Sequence, residues 1–143
     1  MQASKMTVAE LERFLAEQFP QAMHPKAGLT IEEVWHGGAR VRQTFNLRFL
    51  RPGGTISGPT MMGLADFTMY VGVLASIGPV PLAVTTNLNI NFLRKPAQRD
   101  LLADCRLLKL GKRLAVGEVT LRSDGQEEAV AHVTSTYSIP RQD

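Results

Sequence analysis

One stretch constrains this chain more than any other: Ser57 to Gly78, SGPTMMGLADFTMYVGVLASIG, which holds one charged side chain, Asp66, and no Lys or Arg. Pro59 stands where a helix would start, because a first-turn proline forfeits no helical hydrogen bond. Ser57, Gly58 and Thr60 are candidate caps, and Gly78-Pro79 is a stop signal. Between them run roughly five turns of mostly apolar residues. A helix apolar on nearly every side is buried on nearly every side. The β-rich sequence around it implies a sheet curled about one central helix.

Asp66 is the anomaly in that helix. A carboxylate there must be paired, hydrogen-bonded, at an opening or protonated. Its neighbours at helical spacing, Met62, Gly63, Met69 and Tyr70, include no cation. Asp66 is therefore the leading candidate functional residue. The plainer alternative is an Asp at the helix edge, wetted or bonded to a neighbouring strand.

A chain of 143 residues is expected to form one domain spanning 1–143, long enough to bury a core without staples. The net charge of +3 suits a small anionic ligand and is too small to argue for nucleic acid. A single cysteine, Cys105, excludes an internal disulfide and fits a reducing, cytoplasmic compartment. The opening MQASKMTVAELERF has no apolar signal core, so nothing suggests export. The central helix is long enough to raise the question of a membrane span. Asp66, Gly63, Gly72 and the lack of flanking Lys or Arg argue against one.

Residues 7–19 read as a short amphipathic helix, with Thr7 and Glu10 at capping-box spacing and Val8, Leu11, Phe14, Leu15 and Phe19 in one stripe. Residues 21–27 read as loop. Leu29–Trp35 and Ala39–Phe49 read as strands about a His36-Gly37-Gly38 turn. After Pro79 the period becomes two. Leu82, Val84, Thr86, Leu88, Ile90 and Phe92 are expected on one face, with Ala83, Thr85, Asn87, Asn89 and Asn91 on the other. Leu101–Leu110, Leu114–Leu121 and Glu128–Ile139 follow as strands, turning at Gly111-Lys112 and Asp124-Gly125. Strands joined by tight turns are antiparallel neighbours.

This order resembles the hotdog fold, an α+β architecture in which an antiparallel sheet wraps one long helix, here with a short N-terminal helix added. The sequence is similar to the PaaI-like acyl-CoA thioesterases over about Leu29–Ile139. GTISGPTMMGLAD is similar to the family's Gly-Thr-x-His-Gly-Gly-x-x-x-x-Leu-Ala-Asp helix start, and TTNLNINFLRKPA to its Asn-Phe-Leu-Arg-Pro-Ala type strand. Asp66 and Gly58 carry over residue by residue. The family's His is Ser57 here, its second Gly is Pro59, and an Asn common upstream falls near Arg51. His36-Gly37-Gly38 lies in a hairpin turn with no Asp nine positions on, and does not replace that motif.

The resemblance implies hydrolysis of an acyl-CoA thioester, with coenzyme A as part of the substrate and no other cofactor, and the apolar side chains of the central helix suggest an aryl- or medium-chain acyl group. Such a reaction needs an attacking water or carboxylate and donors for the developing oxyanion. Asp66 can be general base or nucleophile. The free N–H groups at the helix start can be the donors, Gly58 foremost because no side chain blocks a ligand there. Pro59 cannot donate, and Ser57 either caps the helix or bonds substrate. Gly58 and Asp66 lie eight residues apart, roughly 12 Å along one helix, so one thioester carbonyl cannot meet both within a subunit. The site then joins two subunits, as the resemblance also implies, in a homodimer or homotetramer. Thr85 falls where the family often has Ser or Thr near the acid; it either orients Asp66 or a water, or is an ordinary strand Thr. Arg94, Lys95, Lys112 and Arg113 are candidates for the coenzyme A phosphates, against a plain solvated rim. Met61, Met62, Met69, Phe67 and Tyr70 are candidate acyl-pocket residues or simply core.

Other chemistries fit less well. Ser57 lies in no Gly-x-Ser-x-Gly elbow. His24, His36 and His132 lack metal spacing. No dinucleotide fingerprint or P-loop is present. The second reading is a non-catalytic acyl-CoA-binding or sensing module, motivated by Ser57 and Pro59. A hotdog hydratase is a third, without its usual Asp/His motif.

Overall fold

The computed structural model describes residues 2–142. Helix α1 (Val8–Gln18) opens with the expected capping box. The Thr7 hydroxyl accepts from the Glu10 N–H at 3.1 Å, and the Glu10 carboxylate accepts from the Thr7 N–H at 3.0 Å. Leu11 and Leu15 carry its inner stripe into the core. Phe19 ends α1, and the stretch expected as loop instead starts with a one-turn helix, α2 (Pro20–Met23).

Strands β1 (Leu29–Trp35) and β2 (Gly38–Gln43) pair antiparallel about the His36-Gly37 turn. The expected continuation of β2 to Phe49 does not form. The Phe45 N–H bonds the Asp100 carboxylate at 2.7 Å, and the Asn46 side chain accepts from the Arg48 N–H at 2.9 Å, capping a 3₁₀ turn over Leu47–Phe49. Side-chain oxygens have taken the backbone donors a ladder would need. A hairpin the sequence did not announce follows, β3 (Leu50–Arg51) against β4 (Thr55–Ile56). It turns through Gly53 and Gly54 at φ of +98° and +78°, a region that favours glycine.

Helix α3 (Gly58–Ile77) is the predicted central helix. Ser57 caps it, its hydroxyl oxygen 3.3 Å from the Thr60 N–H, and the Gly78 N–H closes on the Leu74 carbonyl. Strands β5 (Val84–Phe92), β6 (Leu101–Leu110), β7 (Leu114–Ser123) and β8 (Ala129–Ser138) complete a six-stranded antiparallel sheet in the order β1-β2-β6-β7-β8-β5. The sheet curls around α3, so that from Leu64 to Ser76 every helix residue except Asp66 is buried. That burial explains a helix apolar enough for a membrane span. The helix approaches the sheet closely: a Cβ on Gly72 would lie 2.9 Å from the Cys105 sulfur, and one on Gly117 2.8 Å from that of Met69. Cys105 is core, and burial pushes its thiol up to about 12.

The faces of β5 differ from the simple alternation. Thr85 pairs with Tyr137 and Asn87 with Thr136, leaving Thr86 as an extra residue. Such a bulge reverses the phase of the strand beyond it. Thr85 therefore shares the helix-facing side with Leu88, Ile90 and Phe92, while Val84 is turned outward with Asn87, Asn89 and Asn91.

Candidate active site

Asp66 is held by the sheet rather than by its own helix. Its Oδ1 accepts from the Thr85 hydroxyl at 2.5 Å and lies 3.1 Å from the Tyr137 hydroxyl. That hydroxyl is also 3.1 Å from the Asp66 carbonyl, so its one proton is shared between the two oxygens. Oδ2 has no hydrogen-bond partner among the described residues. Thr85 and Tyr137 stand directly opposite each other in the β5–β8 ladder, which is why one oxygen receives both. The Tyr137 ring stacks on Tyr70 with centroids 6.0 Å apart, and the Tyr70 hydroxyl donates to the Pro81 carbonyl at 2.9 Å. Burial drives the Tyr137 phenol well above its usual range; the nearby Thr85 hydroxyl works against that, and the negative charge of Asp66 adds to it. Tyr137 thus stays protonated and donates.

Two clefts meet at this carboxylate, sharing Phe19, Gln21, Tyr70 and Tyr137. One, of about 450 Å³, runs under α2 between Leu29, Phe49 and Phe67. The other, of about 380 Å³, opens past Pro81, Ala83 and Thr85. Of the expected acyl-pocket residues, Phe67 and Tyr70 line the first cleft. The methionines do not: Met69 is packed in the core, Met62 is exposed, and Met61 faces the helix start.

Gly58 opens onto a different cleft, of about 430 Å³, with Arg51, Phe92, Arg94 and Lys95. A Cβ on Gly58 would lie 3.1 Å from the exposed Phe92 ring, which would have to give by a few tenths of an ångström to admit a side chain. Asp66 is absent from that lining. Within one chain the two residues are therefore kept apart, as helix geometry requires. Ser57 is engaged as the cap, its hydroxyl also 2.8 Å from that of Thr60. Arg94 is tied to the Glu128 carboxylate at 2.5 Å and the Ala129 carbonyl at 2.9 Å, whereas Lys95 has no ion-pair partner among the described residues. Lys112 and Arg113 line a fourth cleft, of about 650 Å³, with Arg141 over Ile77, Val80 and Ile139. The four basic candidates thus form two separate sets. Tyr137 escaped the sequence reading; its inward position follows from the alternation of β8, but its bond to Asp66 depends on strand register.

A curled antiparallel sheet closed over one buried helix is the architecture of the hotdog class. Residues 53–130 match the thioesterase superfamily, which is more than half of the chain. The chain belongs to that superfamily, a group of thioester hydrolases. It is 46% identical to a "putative thioesterase" from Silicibacter sp. TM1040, whose crystal structure superposes with a TM-score of 0.84 over 96% of this chain and 94% of that one. Two more distant structures share the fold. A thioesterase from Haemophilus influenzae has a TM-score of 0.83 at 18% identity, covering 99% of this chain and 96% of its own. The E. coli PaaI protein of the phenylacetic acid degradation operon has a TM-score of 0.75 at 23% identity, covering 91% and 96%.

Proposed function

We propose that this protein is an acyl-CoA thioesterase in which Asp66 of one subunit and the first turn of α3 in a second subunit act on one thioester. The observation that carries the reading is the state of Asp66. It interrupts an otherwise buried run, its Oδ1 is held by Thr85 and Tyr137, and its Oδ2 is unengaged beside two clefts.

Two routes suit that carboxylate. As base, Asp66 takes a proton from water while the water oxygen bonds the carbonyl carbon; the C–S bond then breaks and the proton passes to the leaving thiolate. As nucleophile, its oxygen bonds the carbonyl carbon and the C–S bond breaks, releasing the thiolate; water then cleaves the acyl-aspartyl intermediate and its proton passes to the thiolate. In both, the Gly58 N–H and the positive end of α3 stabilise the oxyanion.

Pairing of two copies is supported by β5. It is a nine-residue edge strand, Val84–Phe92, without a charge or a proline, and Val84 and Phe92 are exposed. Soluble proteins ordinarily blunt such an edge. Antiparallel pairing of β5 with a copy, centred on its midpoint Leu88, sets Thr85 opposite Asn91 of the copy. The following residue, Phe92, is the one that packs on Gly58. Asp66 of one subunit then nears Gly58 of the other. The same symmetry brings Lys112 and Arg113 of one copy, two strands in from the Val84 end, toward Arg51 and Lys95 of the other. These cations are our candidates for the coenzyme A phosphates.

Thiol release from a panel of aryl and fatty acyl-CoAs tests this reading. Wild type is expected to turn over a member of the panel, and folded Asp66→Asn to lose about 10²-fold or more. Undiminished turnover in Asp66→Asn would remove Asp66 from the mechanism. A wild type that binds acyl-CoA but hydrolyses none of the panel would favour the binding module, which Ser57 and Pro59 motivate.

A further inference from the structure

The start of α3 holds fewer donors than an ordinary helix start. The first N–H groups of a helix have no partner inside it. In α3 they would belong to Gly58, Pro59 and Thr60. Pro59 has none, and the N–H of Thr60 is taken by the Ser57 hydroxyl. The next, that of Met61, reaches the Ser57 carbonyl at 3.3 Å. Among the described residues of this turn, Gly58 alone keeps a free N–H. Acyl-transfer sites ordinarily meet a developing oxyanion with two or more donors, so this turn is one short.

Four side chains in the cleft at Gly58 can donate: Arg51, Thr55, Arg94 and Lys95. Arg94 is committed to Glu128 and to the Ala129 carbonyl. Thr55 is neutral. Arg51 and Lys95 are cations without an ion-pair partner among the described residues, and they are held differently. Arg51 lies in the β3–β4 hairpin, where it pairs with Thr55 and Leu50 with Ile56. The Ser57 N–H donates to the Phe49 carbonyl at 2.9 Å, fastening the hairpin to the helix start, and the Gly54 N–H to the Arg51 carbonyl at 3.0 Å. The Gln98 side chain donates to the Gly54 carbonyl at 3.0 Å and braces the turn from outside. The Arg51 backbone is thus fixed relative to Gly58. Lys95 follows the end of β5 in irregular chain. A planar fork of N–H groups also suits an oxygen gaining charge better than the point charge of a lysine does.

We propose that Arg51 is a catalytic residue that donates, beside the Gly58 N–H, to the thioester oxygen as it becomes an oxyanion. The proposal rests on the thioesterase reading and adds a residue to its mechanism. When the attacking oxygen bonds the carbonyl carbon, the carbonyl π electrons move to the oxygen that faces Arg51. They return as the C–S bond breaks. Arg51 gives up no proton in either step, because its guanidinium stays charged throughout. The pantetheine arm keeps the coenzyme A phosphates away from the thioester, so a cation at Gly58 serves the carbonyl, and Lys95, Lys112 and Arg113 remain for the phosphates. Arg51 and Gly58 belong to one subunit and Asp66 to the other, so each subunit brings the donors for its partner's acid.

Thiol release from the acyl-CoA panel gives kcat and KM for wild type, Arg51→Gln and Lys95→Gln. Arg51 is exposed, and Arg51→Gln keeps a polar side chain while removing the charge. It is expected to lower kcat about 10²-fold, the worth of one oxyanion donor, with KM within about twofold, while Lys95→Gln raises KM. An Arg51→Gln loss confined to KM, or no loss, overturns the proposal. Pro59→Ala gives the helix start a second free N–H, so the Arg51→Gln loss is expected to shrink about tenfold in that background. Equal losses in the two backgrounds would sink the idea that Arg51 makes up the shortfall. The same proteins are titrated by calorimetry with two coenzyme A thioethers, one plain and one bearing a trifluoromethyl ketone whose hydrate is tetrahedral at the reacting carbon. Arg51→Gln is expected to weaken the ketone about tenfold or more and the plain thioether by less than about twofold. Equal weakening of both overturns the proposal. If no thioester is hydrolysed, the thioesterase reading fails by itself, and the ratio of the two affinities still decides the role of Arg51.

Discussion

At the scale of single residues, the proposed site is a carboxylate with its two oxygens treated differently. Thr85 and Tyr137 converge on Oδ1 of Asp66, which orients Oδ2. Tyr137→Phe keeps the ring on Tyr70 and deletes one of the two donors. It is expected to lower kcat about tenfold, the worth of one such bond, with KM within about twofold, because Tyr137 positions the carboxylate rather than binding the acyl group. Thr85→Ser, which retains the hydroxyl, should stay near wild type. Steady-state kinetics on the best thioester checks both; a Tyr137→Phe loss confined to KM would contradict the positioning role. Asp66 was legible in the sequence because a lone charge in a long apolar run demands a physical explanation. Thr85 was legible as a candidate but was assigned to the wrong face, since nothing in Val84-Thr85-Thr86-Asn87 marks Thr86 as the extra residue.

At the scale of elements, α3 and its fit into the sheet decide how the chain tolerates change. Two glycines on this helix have opposite surroundings. A Cβ on Gly63 meets nothing within 4 Å, while one on Gly72 would lie 2.9 Å from the buried Cys105 sulfur. Gly63→Ala is expected to stabilise by about 1 kcal/mol through helix propensity. Gly72→Ala gains the same propensity but overpacks the core, for a net loss of about 1 kcal/mol. Urea midpoints of the two variants should move in opposite directions; a shared direction would mean that the α3–β6 contact yields more easily than its geometry implies. The helix boundaries could be read beforehand, because Ser57, Pro59 and Gly78 are local signals. The early end of β2 could not. It depends on Asp100, 55 residues from Phe45, taking a backbone donor.

At the scale of the whole molecule, the proposed two-fold pairing would use the bare edge of β5 and bridge the separation of Asp66 from Gly58. Asn87 and Asn89 face outward on that strand, and the proposed pairing sets each opposite the other across the axis. The double substitution Asn87→Lys with Asn89→Lys leaves the core untouched and places like charges in register, a device that discourages edge pairing. Light scattering should show a monomer with a cooperative unfolding transition, and thiol release should fall with it. An active monomer would mean that one chain contains the whole site. Much of this protein was set by its sequence alone: a central helix with defined ends, antiparallel strands around it, one anomalous acid, and two candidate groups too far apart on one helix to share a carbonyl. These follow from local periodicity, capping chemistry and the cost of burying charge, which act within a few residues of chain. Only the tertiary structure decided which oxygen of Asp66 is held, that Tyr137 helps hold it, and which side chains wall the cleft beside it. Each of these depends on strand register and on contacts between residues distant in sequence, where a one-residue bulge exchanges the faces of a strand.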